Sequence, residues 1–200
     1  LSLHDALPIY PVSLRNRSRF GCTIRKGLGI IRNDSRRACG EEYAILEYGG
    51  NDCDYDWASI AADPYGCFLS KTPPDEFRKG YTEAIGLIRA SGRIPVAVTL
   101  PPIDSRRYLR YICRNGISRE NILIWLGDVD AIYRRQREYS EIVRDVAEKE
   151  SAALIDLRGA FREAGRPASE LLCEDGIHPS RAGQAIIFHE LCLRDRNWTT

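Results

Sequence analysis

From residue 10 onward the apolar positions form two kinds of segment in alternation: short, nearly continuous runs, and longer stretches with apolar residues on one side only. Tyr10 to Leu14 is a short apolar stretch that reads as a first strand. Tyr43 to Tyr48 (YAILEY), Ile94 to Leu100 (IPVAVTL) and Ala152 to Leu157 (AALIDL) read as buried strands. Between them, Thr23 to Ala38 predicts a helix with Ile24, Leu28 and Ile31 on one side. Pro74 to Ser91 predicts another, opening on Pro and acidic residues and stopping at Gly92. Residues 104 to 127 suggest short helices, Asp130 to Glu150 a longer charged one, and Ser180 to Arg194 a last one. Strands separated by helices predict an α/β fold, a parallel sheet covered on both faces.

At 200 residues with 44% hydrophobic side chains, the chain can close one sizeable core, so a single domain over residues 10–200 is expected. The 29 basic and 28 acidic residues leave a net charge of +1, which argues against nucleic acid or an anionic membrane surface as partner and for a small, weakly charged one. No apolar run approaches the roughly 20 residues that span a bilayer. The cysteines are Cys22, Cys39, Cys53, Cys67, Cys113, Cys173 and Cys192. Their number is odd and none are spaced C-x-x-C, so small buried thiols in a reducing cytoplasm are expected.

The first nine residues, LSLHDALPI, reverse-translate to ctt tcc cta cac gac gct ctt ccg atc, which resembles a widely used sequencing adapter. They are expected to be a processing scar, so His4 and Asp5 carry no functional weight and secretion stays open.

In open parallel sheets, chemistry gathers in loops beyond the carboxyl ends of the strands, and three segments fall on such loops. Gly49-Gly50-Asn51-Asp52 follows YAILEY directly. Glycine permits a tight turn near a ligand, and an Asn amide can donate to an oxyanion, although G-G-N-D equally marks a plain turn. Asp175-Gly176-Ile177-His178-Pro179 precedes the last helix. A carboxylate three residues before a histidine can hold the Nδ1 proton and leave Nε2 as a base, or it can simply cap local amides. One His and one carboxylate do not complete a metal site. Asn16 to Thr23, with Gly21, lies where the first strand meets the first helix, and an exposed amide there can face developing negative charge.

In order and spacing these segments resemble the SGNH (GDSL-like) hydrolase family. Its pattern runs G-D-S near the N-terminus, then a glycine segment, then G-x-N-D, then D-x-x-H. Gly21 fits the second element, Gly49 to Asp52 the third, and Asp175 with His178 the fourth. The resemblance implies a flavodoxin-like three-layer α/β/α domain with strand order 2-1-3-4-5 and a serine esterase or acylhydrolase activity without cofactor or metal. It implies His178 as general base, Asp175 as its orienting partner, and the Gly21 amide with the Asn51 side chain as oxyanion donors. Gly50, Asp52 and Trp57 are candidates for the pocket wall.

The nucleophilic serine has no counterpart. Neither G-D-S nor G-x-S-x-G occurs, and Ser35 and Ser105, each after an Asp, read as caps or surface residues. The serine and the sheet's first, central strand are expected upstream of this sequence. Tyr108, Tyr111, Trp125 and Tyr133 could line an acyl or sugar pocket or simply pack short helices, and Arg106, Arg107, Arg110, Arg134, Arg135 and Arg137 read as a solvated face. A non-catalytic α/β module binding a small ligand is the main alternative, and a phosphate binder is disfavoured because no Gly-rich phosphate loop is present.

Overall fold

The computed structural model describes residues 14–34 and 43–195. The first nine residues, most of the expected strand at Tyr10 to Leu14, and Ser35 lie outside them. Three strands, β1 (Tyr43–Leu46), β2 (Ile94–Val98) and β3 (Ala153–Ile155), form a parallel sheet in the order β1-β2-β3. Tyr43 pairs with Ile94 and Leu46 with Ala97, while Val96 pairs with Ala153 and Val98 with Ile155. That sequential order corresponds to the 3-4-5 part of the expected 2-1-3-4-5.

Helices α1 (Ile24–Asp34), α3 (Pro74–Ala90) and α6 (Ala131–Lys149) cover one face. The α3 stripe of Phe77, Tyr81, Ala84, Ile85 and Ile88 recurs at helical spacing and is buried against Leu46, Ala97 and Leu100. Fully burying one such side chain is worth about 1.5–3 kcal/mol. The other face holds Val96, Val98 and Ile155, packed under α7 (Leu157–Glu163) and Ile187 and Leu191 of α9 (Arg181–Asp195). This cover does not extend over β1, where Ile45 is 47% and Tyr43 37% exposed, with Ile94 of β2 at 39%. The architecture is therefore α/β with helices on both sides of a parallel sheet.

A second cluster joins α2 (Trp57–Ala62), α4 (Ser105–Ile112) and α5 (Arg119–Leu126) beside the carboxyl ends of the strands; Tyr55, Trp57, Leu109, Ile122 and Ile132 are buried in it. The sequence pattern did not resolve α2, α7 or α8 (Ala168–Leu171), because four to seven residues make too little of a helical repeat. Two of them do carry a local start signal: Asp56 and Asp156 cap α2 and α7 by accepting from the amides of Ser59 and Gly159. The expectation of buried thiols needs correcting. Cys53 is buried, but Cys67 and Cys173 are exposed and Cys22, Cys113 and Cys192 partly so, since these lie on loops and helix surfaces.

Candidate active site

The D-x-x-H turn closes on itself. Asp175 Oδ1 accepts from the amides of Ile177 and His178, each at 3.0 Å, while Oδ2 lies 2.7 Å from His178 Nδ1. The capping role and the histidine-orienting role therefore coexist, one on each carboxylate oxygen. An Nδ1–H donating to Oδ2 leaves Nε2 as the free, basic nitrogen. The imidazole is open to solvent, its side chain 64% exposed against 17% for Asp175. Partial burial works against ionisation of Asp175, but the two amides and the His178 ring outweigh it and hold the carboxyl below its ordinary value.

Gly176 allows the turn to sit where it does. Its φ is +78°, and a Cβ there would lie 2.7 Å from the Asp104 carbonyl oxygen and 2.9 Å from the Tyr108 nitrogen. The turn is thus seated on the first turn of α4, with Asp104 N donating to Gly176 O at 2.8 Å. Arg107 donates to the carbonyls of Leu172 and Cys173, both at 3.4 Å. This corrects the reading of Arg107 as part of a solvated face. Its acceptors are 65 and 66 residues further along the chain, so no local pattern could have shown the contact.

The Gly49–Asp52 turn is anchored from inside. Asp52 is fully buried; its Oδ1 accepts from Ile24 N at 2.9 Å and its Oδ2 from Gly49 N at 3.1 Å. The first of these bonds places a carboxylate at the N-terminus of α1, where the helix dipole favours negative charge. It also ties the Gly21 turn, which leads into α1, to the turn that carries Asn51. Burial pushes the Asp52 carboxyl above its ordinary value, against the hydrogen bonds it accepts. Gly49, at φ +124°, packs so close to Leu100 that a Cβ would be 2.9 Å from its Cδ1. Asn51 and Gly50 are exposed at the apex, and the Asn51 carboxamide has no hydrogen bond to the described residues. Gly21 has φ +65° and open space beside it.

Of the pocket-wall candidates, only Gly50 presents surface. Asp52 spends both oxygens inside the fold, and Trp57 is 8% exposed, edge-on to Tyr55 and Tyr108 with its Nε1 donating to Asp54. Both build the scaffold of the turn because their polar groups are satisfied inward. The aromatics of the α2/α4/α5 cluster likewise pack against each other, Tyr55 and Trp125 with ring centroids 4.9 Å apart. Ser105 also differs from expectation. Asp104, not Ser105, caps α4, and Ser105 is buried with no hydrogen-bond partner for its hydroxyl among the described residues. Among the described residues no group of three or more His, Cys, Asp or Glu side chains is placed to hold a metal ion, and no helix is long and apolar enough to cross a membrane.

The likeness to solved structures is one of fold. An acetyl xylan esterase variant from Geobacillus stearothermophilus superposes with a TM-score of 0.59 at 18% identity, covering 86% of this chain and 67% of its own. An α/β hydrolase, LAE5, from the metagenome of Lake Arreo gives 0.57 at 22% identity, covering 86% of this chain and 67% of its own. The lipase/acylhydrolase of Enterococcus faecalis gives 0.57 at 18% identity, covering 88% and 72%. No curated protein sequence matches. The sequence model of the GDSL-like lipase/acylhydrolase family matches residues 10–186, a span that takes in the Gly21, Asn51 and His178 turns together. On that match, the chain belongs to the GDSL-like lipase/acylhydrolase family.

Proposed function

We propose that the intact protein hydrolyses carboxylic esters by a Ser-His-Asp mechanism, with His178 as general base and Asp175 as its orienting partner. The observation that carries this reading is the 2.7 Å approach of Asp175 Oδ2 to His178 Nδ1 on an exposed turn, in a chain of an acylhydrolase family. The serine hydroxyl attacks the ester carbonyl and His178 Nε2 takes its proton. The Gly21 amide and the Asn51 carboxamide donate to the oxyanion, and the leaving alcohol departs with the proton from His178. Water, deprotonated by the same nitrogen, then releases the acid and restores the serine.

The nucleophile in this reading is carried by a strand encoded upstream of the present sequence. The exposure of Ile45 and Ile94 on the face that α7 and α9 leave open supports further cover on that face. The fold neighbours include an acetyl xylan esterase and a lipase/acylhydrolase, so acetylated sugars, lysolipids and simple acyl esters make up the substrate panel.

The test is to assay this chain, and the chain extended by its natural upstream coding sequence, with an activated short-chain ester and a serine-directed fluorophosphonate. Turnover and labelling are expected only in the extended chain. Stoichiometric labelling of Ser105 in the present chain would show that the nucleophile lies within it. An upstream sequence without G-D-S, together with ligand binding but no turnover, would favour the non-catalytic binding module.

A further inference from the structure

The turn carrying Asn51 and the turn carrying His178 hang on different parts of the fold, and α4 touches the second of them and Asp54, two residues beyond the first. Its first turn holds the His178 side through Asp104 N on Gly176 O, Arg107 on the carbonyls of Leu172 and Cys173, and the seat of Gly176 against Tyr108 N. The Asp104 side chain fixes that first turn by accepting from the amides of Arg106 and Arg107 at 3.1 and 3.0 Å.

The same Tyr108 reaches the other way with its phenol, which donates to Asp54 Oδ1 at 2.8 Å. Asp54 is held in turn by Trp57 Nε1 on Oδ1 at 2.8 Å and Lys71 Nζ on Oδ2 at 2.6 Å. Its backbone cannot drift from the Asn51 turn, because the carbonyls of Asp52 and Asp54 accept from the amides of Thr72 and Lys71 at 3.0 and 2.8 Å. Burial, then the neighbouring Asp54 charge, push the Tyr108 phenol well above its ordinary range, so it remains a donor.

We propose that Tyr108 is a positioning residue for ester hydrolysis: its hydrogen bond to Asp54 makes α4 a splint that sets the separation between the Asn51 amide and the His178 imidazole. The inference rests on the hydrolytic reading above. An oxyanion donor and a base on separate loops must be held within about 0.5 Å of their productive places. Tyr108 borders one loop with its backbone while its side chain binds the segment that directly follows the other. Without the hydroxyl, α4 stays docked to the His178 turn but loses its polar tie to Asp54.

Tyr108→Phe keeps the ring edge-on to Trp57, centroids 6.3 Å apart, and removes only the donor. In the extended chain it is expected to lower kcat roughly ten- to a hundredfold at unchanged KM. Asp54→Ala should do the same, and the double variant should be no worse than Asp54→Ala alone. Asp54→Asn, which keeps an oxygen acceptor, should restore most of the rate. A lowered Tm with kcat unchanged, or losses from Tyr108→Phe and Asp54→Ala that multiply, would overturn the proposal.

A second readout separates this inference from the hydrolytic reading. In ¹⁵N-labelled extended chain, Tyr108→Phe should shift both the Asn51 carboxamide and the His178 ring signals. If wild type hydrolyses no ester yet both signals shift, the hydrolytic reading fails and the splint stands. If neither signal shifts, the splint fails whatever the activity.

Discussion

The two polar turns are built in opposite ways. The Gly49–Asp52 turn is fastened from within: its carboxylate is fully buried and binds α1 and its own turn, and only the apex reaches solvent. The Asp175–His178 turn lies on the surface, its ring mostly exposed and its shape set by local Asx bonds and the seat on α4. Stability and chemistry are therefore entangled in one turn and separable in the other. In the first turn, the residue that shapes the loop also caps a core helix, so changing it costs stability. In the second, the imidazole contributes little to packing and can be altered with the fold intact.

His178→Ala in the extended chain tests this contrast most directly. Turnover on an activated ester should fall by about 10⁴- to 10⁶-fold, while the unfolding free energy changes only as for an exposed substitution, within about 0.5 kcal/mol. A large loss of stability with the rate retained would reverse the assignment of roles between the turns.

Next in size is Asp52→Ala, which strands the amides of Ile24 and Gly49 in a buried site. Each orphaned group costs about 1–3 kcal/mol, so a loss of several kcal/mol is expected in urea unfolding. An unchanged midpoint would mean that the buried carboxylate does not hold the turn.

The smallest effect is in pH. The folded Asp175 carboxyl lies below its ordinary value, so its contribution to stability is fully present above about pH 4, the unfolded Asp value, and fades as pH falls through the folded value. Asp52 has the opposite sign: its raised carboxyl favours the folded state at acid pH and loses that contribution as pH rises through its folded value. Asp175→Asn should therefore flatten the acid limb of a Tm-against-pH curve between pH 5 and 3, and Asp52→Asn should steepen it. An acid limb that neither substitution changes would show that other carboxylates control it.

What the sequence determined by itself is what depends on neighbours along the chain. Alternation of apolar runs and one-sided stretches placed β1, β2, β3, α1, α3, α6 and α9 within a few residues, because burial follows backbone periodicity. The Asp175 to His178 contact was legible as one of two local readings, because a spacing of three residues lets the carboxylate reach both the turn's amides and the ring. Only the tertiary structure decided the rest. Asp52 looked like a pocket residue from its place beside Asn51, but the partners of its carboxylate include Ile24, 28 residues upstream. Arg107 looked like one of many surface cations until Leu172 and Cys173 were folded against it. Tyr108 and Asp54 lie 54 residues apart. Such pairings depend on which helix packs over which loop, and that is set by the summed burial of the sheet and its helices, not by any motif.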